Sequence, residues 1–146
     1  MADIRSSRPG SSAPVIIGCP GFLGYSGWGF FPYLSEVLAL EGFHIITLTF
    51  SHSGTDPQTG RIVRPDAFAT DTISQEIADL DSVLSLVRSR ESPLPAAEGI
   101  GLLGHSRGGS VAILAASRHE FIKSLVTWSS PSTFDRYTER RKREWK

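Results

Sequence analysis

Four short apolar runs alternate with three longer amphipathic ones along this chain. Val15, Ile16 and Ile17 form a β-branched run stopped by Gly18 and Pro20, which predicts a buried strand. Residues 44–50, 99–103 and 124–128 read the same way, and each is stopped by a polar or glycine-containing cluster. Runs that are apolar throughout suit strands covered on both faces, as in a parallel sheet. Between them, residues 31–40 carry Leu34, Val37, Leu38 and Ala39 toward one side, with Gly42 as a stop. Residues 70–90 give the clearest helix, because Ile73, Ile77, Leu80, Leu84 and Val87 recur by four, three, four and three. Asp71, Glu76, Asp79 and Asp81 come early and Arg88 and Arg90 late, an order that complements the helix dipole. A third helix, 106–118, follows the third strand without a spacer. The pattern predicts an α/β fold: a parallel sheet of about four strands with helices on both faces.

Residues 1–13 are rich in Ser, Arg and Pro without an apolar core, so they read as a flexible tail and not as a secretory signal. Residues 14–131 make the core, and 132–146 begin a cap or connecting helix. Residues 51–65, with Asp-Pro and Thr-Gly pairs, read as a loop.

Composition narrows the classes. The 146 residues are 40% hydrophobic and 21% charged, enough for a packed core. Fifteen basic residues balance fifteen acidic ones, which argues against a general nucleic-acid binder. Residues 135–146 carry six Lys/Arg against three Asp/Glu; a solvated helix explains them as well as a basic arm does. No apolar run reaches the length of about 18 residues that a membrane span needs. Cys19 is the single cysteine, so an internal disulfide and a four-ligand zinc site are excluded and a cytoplasmic setting fits. It reads as a small buried filler. Nothing in the composition fixes an oligomeric state.

Local chemistry is concentrated at Gly104-His105-Ser106-Arg107-Gly108-Gly109. This is G-x-S-x-G between a predicted strand and a predicted helix, the setting in which that pattern carries meaning. A serine there sits on a tight turn with its hydroxyl raised above the sheet edge, and the backbone angles are costly. Gly104, Gly108 and Gly109 supply the space that such a close strand–helix approach requires. Ser106 is therefore the candidate nucleophile. The backbone N–H of Arg107 would be one oxyanion donor. The second falls in the loop after the first strand, at Phe22 or alternatively Leu23, since Pro20 has no N–H. A plain turn is the competing reading of that loop. Gly21, Gly24 and Gly27 hint at a phosphate loop, but the Lys-Ser/Thr ending and the G-x-G opening are both missing. No metal or organic cofactor is implied.

These residues resemble the α/β-hydrolase family. The likeness rests on Pro20-Gly21-Phe22-Leu23-Gly24, on Phe50-Ser51-His52-Ser53-Gly54 and on the motif around Ser106. The dienelactone hydrolase and serine aminopeptidase-like branches are the most similar. In such enzymes the first loop often reads His-Gly-Phe, and here Pro20 replaces the His. The resemblance implies that Ser106 attacks an acyl carbon of a small-molecule substrate while Phe22 and Arg107 N–H groups hold the oxyanion.

The family's chain order is Ser, then Asp or Glu, then His. His119, the one later histidine, lies thirteen positions along the same helix, about 20 Å away at 1.5 Å per residue, and cannot be the base. His44 opens a strand, and His105 lies within the turn. His52 as base would break the family order. Asp135 follows the fourth strand, where some members place the acid. The sequence thus reads as the N-terminal part of a serine hydrolase, inactive alone, whose acid and base lie beyond Lys146. Phe134, Tyr137 and Trp145 would begin its cap. The alternative is a non-catalytic binding or scaffold module that keeps the turn for packing.

Overall fold

A computed structural model of the chain describes residues 1–8, 10–135 and 138–144. Tyr137 and Trp145, read above as cap residues, lie outside the described residues. Five strands form one sheet: β1 (Ala2–Arg5), β2 (Val15–Cys19), β3 (His44–Leu48), β4 (Ile100–His105) and β5 (Ile122–Trp128). Their spatial order is β1-β3-β2-β4-β5, with β1 antiparallel to β3 and every other pair parallel. The helices are α1 (Phe31–Leu40), α2 (Pro65–Phe68), α3 (Ile73–Arg88), α4 (Arg107–Ala116) and α5 (Glu139–Glu144).

Strand alternation divides the core. Val15, Ile17 and Cys19 of β2 and Ile46 and Leu48 of β3 join the stripe Ile77, Leu80, Leu84 and Val87 of α3 and Val111, Ala112 and Ala115 of α4. The opposite face is covered by α1. A Cβ on Gly18 would lie 3.1 Å from the Phe31 ring, and Ser35 Oγ shares a 3.1 Å hydrogen bond with Thr47 Oγ1. Helices therefore lie on both faces, as the unbroken apolar runs predict. Among the described residues no helix is long and apolar enough to cross a membrane.

The start of the chain departs from the sequence expectation. Residues 1–13 are not simply a tail, because Ala2–Arg5 adds a fifth strand with Ala2 opposite Leu48 and Arg5 opposite Ile45. Four hydrogen bonds hold this N-terminal segment. The Met1 ammonium donates to the Thr49 carbonyl at 3.1 Å, and the Thr49 N–H donates to the Met1 carbonyl at 2.8 Å. His44, fully buried, accepts from the Ser7 N–H at Nδ1 and donates from Nε2 to the Ser11 carbonyl. A carbonyl can only accept and an amide N–H only donate, so these partners fix the neutral Nε2–H tautomer. The strand's two charged side chains hid it from a search for apolar runs.

α3 starts at Ile73, where Thr72 Oγ1 accepts from the Gln75 N–H at 3.2 Å. Thr72-Ile73-Ser74-Gln75 is a capping-box sequence. The loop after β3 is braced by Asp56, whose Oδ1 accepts from the N–H groups of Gln58 and Thr59; those bonds hold its carboxyl below the usual range. At the far edge β5 lies open. Leu125, Val126 and Trp128 are 38%, 56% and 55% exposed.

Candidate functional site

The strand–helix junction between β4 and α4 falls on Ser106, with φ 53° and ψ −127°. Positive φ is rare for a residue with a side chain and costs on the order of 1–3 kcal/mol, so surrounding structure must impose it. Here the Ser106 N–H donates to the Trp128 carbonyl of β5 at 2.8 Å, and the Ser106 carbonyl accepts from the Gly109 N–H at 3.0 Å. Ser106 is the N-cap of α4, yet its side chain makes no capping bond.

Glycines permit the approach. A Cβ on Gly104 would sit 2.7 Å from the Gly108 carbonyl oxygen and against the Gly109 Cα. One on Gly108 would collide with the Cys19 and Pro20 carbonyl oxygens, and one on Gly109 with Ser130 Oγ. Gly21, in the loop after β2, faces the serine itself: its Cβ would lie 2.9 Å from Ser106 Cβ. The loop that carries Phe22 is thus in contact with Ser106, and Leu23 beside it also has positive φ, 60°. Behind the turn, Ser110 Oγ donates to the Pro131 carbonyl at 2.7 Å and pins the segment after β5 to α4.

The Arg107 side chain runs back to α3. Its Nε donates to Glu76 Oε2 at 3.0 Å, and its Nη2 lies 2.9 Å from Asp71 Oδ2. Both carboxylates are out of water, at 5% exposure for Asp71 and 4% for Glu76. Burial pushes the Glu76 carboxyl up to about 7 against the pull of Arg107. Asp71 is raised by the same cause, opposed by Arg107 and His52. Two buried acids for one cation explain why desolvation prevails. Asp71 Oδ1 is buried without a hydrogen-bond partner. The guanidinium also lies 5.5 Å from the centre of the Phe22 ring, and that ring packs on Phe68 at 5.7 Å.

Sequence reading assigned Asp71, Glu76, Asp79 and Asp81 only to the helix dipole. Each has a specific partner instead. Asp79 accepts from the Ser51 N–H and Oγ, and Asp81 Oδ1 lies 2.7 Å from His119 Nε2. The missed signal was position 76, which shares the apolar face with Ile73 and Leu80. An acid there needs a buried partner.

No histidine is hydrogen-bonded to the Ser106 hydroxyl among the described residues, and His105 Nδ1 is buried without a hydrogen-bond partner. His44 ties down the N-terminal segment, His119 meets Asp81, and His52 Nδ1 is 2.8 Å from Ser51 Oγ. His105 stacks on Trp28 at 5.1 Å and meets Phe30 edge-on at 5.3 Å. Asp135 is exposed, with its N–H donating to Thr133 Oγ1. Cys19 is fully buried, and burial, reinforced by Glu76, pushes its thiol up to about 12. Among the described residues no group of three or more His, Cys, Asp or Glu is arranged to hold a metal ion.

Comparison with solved structures gives the same architecture repeatedly. Est1E from Butyrivibrio proteoclasticus with bound ferulic acid superposes with a TM-score of 0.70 at 22% identity, covering 86% of this chain and 46% of that one. DcsB in complex with its substrate analogue gives 0.70 at 23%, covering 92% and 42%. A structure from the work on LipS and LipT, two metagenome-derived lipolytic enzymes, gives 0.68 at 20%, covering 92% and 47%. The chain therefore spans less than half the length of these relatives. No curated protein sequence matches it significantly. A family model described as alpha/beta hydrolase fold matches residues 14–144. That match takes in β2 through α5 and the junction at Ser106, and the chain belongs to the α/β-hydrolase fold family.

Proposed function

We propose that the chain carries the nucleophile half of a serine hydrolase acting on esters or related acyl compounds. The observation that carries this reading is Ser106 at φ 53° on the β4–α4 junction, its side chain against Gly21 and unused in capping. A positive-φ serine held by a neighbouring strand and four glycines exceeds what a packing turn requires. In this reading Ser106 Oγ gives an electron pair to the acyl carbon and its proton to a base. The carbonyl π pair moves onto oxygen, where the N–H groups of Phe22 and Arg107 receive it. Collapse expels the leaving group with the proton, and water then hydrolyses the acyl-serine. Est1E with ferulic acid and the lipolytic LipS and LipT support an acyl substrate. The acid and base are assigned to the part of such a hydrolase that this chain, at less than half its relatives' length, does not span, with Asp135 as the alternative acid.

A second reading, a binding module of the same fold, is favoured by the partners of His44, His52 and His119, which are Ser11, Ser51 and Asp81 and not Ser106. A fluorophosphonate probe with peptide mapping, applied to the full-length protein, separates the two. Label on Ser106, lost in Ser106→Ala, is the expected result. A folded protein that takes no label at Ser106 supports the binding module.

A further inference from the structure

We propose that Arg107 is a positioning residue for both oxyanion donors: it supplies one N–H from its backbone, and its guanidinium fixes the residue that supplies the other, Phe22. The proposal rests on the reading of Ser106 as nucleophile. Phe22 has a 56% exposed side chain and lies with positive-φ Leu23 in a turn closed by the Gly24 N–H on the Gly21 carbonyl at 2.8 Å, so the turn sets the local backbone angles and the ring's contacts tie that turn to α4. Its ring is held from two sides, by the Arg107 guanidinium at 5.5 Å and by Phe68 at 5.7 Å. The guanidinium is in turn immobilised by two carboxylates from a different part of the chain, Asp71 just before α3 and Glu76 within it. A planar fork bound by two acids on its edge keeps its face free for an aromatic ring. One side chain thereby links the loop after β2, the start of α3 and the first turn of α4, which are the parts that must agree for two N–H groups to converge on one oxygen. Lysine, a point charge on a flexible stem, cannot bond both acids and cover the ring at once.

The test is steady-state hydrolysis of p-nitrophenyl acetate by the full-length protein, with its acid and base in place, and by its Ser106→Ala, Phe22→Leu, Arg107→Lys and Phe22→Leu/Arg107→Lys variants. Oxyanion donors act on the charge that develops in the transition state, so each single variant should lose about tenfold or more in kcat with KM nearly unchanged. The double variant should lose little beyond Arg107→Lys, because both changes break the same link. Phe22→Leu alters an exposed ring, so its loss of rate is read on a folded protein. A Ser106-dependent reaction that both single variants leave unchanged in kcat overturns the proposal alone, as does a double loss equal to the product of the single losses. Absence of any Ser106-dependent reaction overturns the reading of Ser106 and this proposal with it.

Discussion

Gly108 shows what one hydrogen in place of a methyl group accomplishes. Its missing Cβ would occupy space already taken by the carbonyl oxygens of Cys19 and Pro20, and a main-chain oxygen cannot rotate away as a side chain can. Gly108→Ala must therefore push α4 off β2, at a cost of about 3 kcal/mol or more. Gly99 is the internal control, since its nearest neighbour would be the flexible Lys123 side chain at 3.9 Å. Thermal unfolding should show a fall in Tm of about 10 °C for Gly108→Ala and almost none for Gly99→Ala. Equal shifts in the two variants would contradict this account. The three glycines around Ser106 were legible in the sequence because the strand–helix pattern around them dictated a close approach. Gly21 facing Ser106 was not, because nothing local reports which loop crosses above a turn.

Among the elements, α3 joins the sheet to the candidate site. Its apolar stripe was readable as a period: Ile77, Leu80, Leu84 and Val87 are buried, Ile73 is partly buried, and Glu76 joins the buried set. The ion cluster was not readable, because Asp71, Glu76 and Arg107 meet only once α3 lies beside α4. The cluster gives stability an unusual dependence on pH. Glu76 has a folded value of about 7 against an ordinary 4.5, so the native state binds its proton more tightly than the unfolded chain. Its stabilising contribution is complete below pH 4.5, declines as pH rises and is gone above about 7, a loss on the order of 3 kcal/mol. Asp71 is shifted in the same direction. Urea denaturation across pH 4.5 to 8 should show stability falling through this window, with the slope flattened in Glu76→Gln. A slope that survives the substitution would assign the effect elsewhere. Of the sheet, β2 to β5 announced themselves as apolar runs, whereas β1 is too short and too polar. It is held by backbone pairing, by the chain's own N-terminus and by His44, whose role no pattern in the sequence displays.

For the whole molecule, the two borders of the sheet differ. β1 closes one side with four residues that carry Asp3 and Arg5, a short charged strand of the kind that resists further pairing. β5, on the other side, is seven residues long and presents Leu125, Val126 and Trp128. A long apolar margin is a ready template for another strand and a short charged one is not. Whatever extends this sheet is therefore received along β5, and the molecule has a direction of growth written into its two sides.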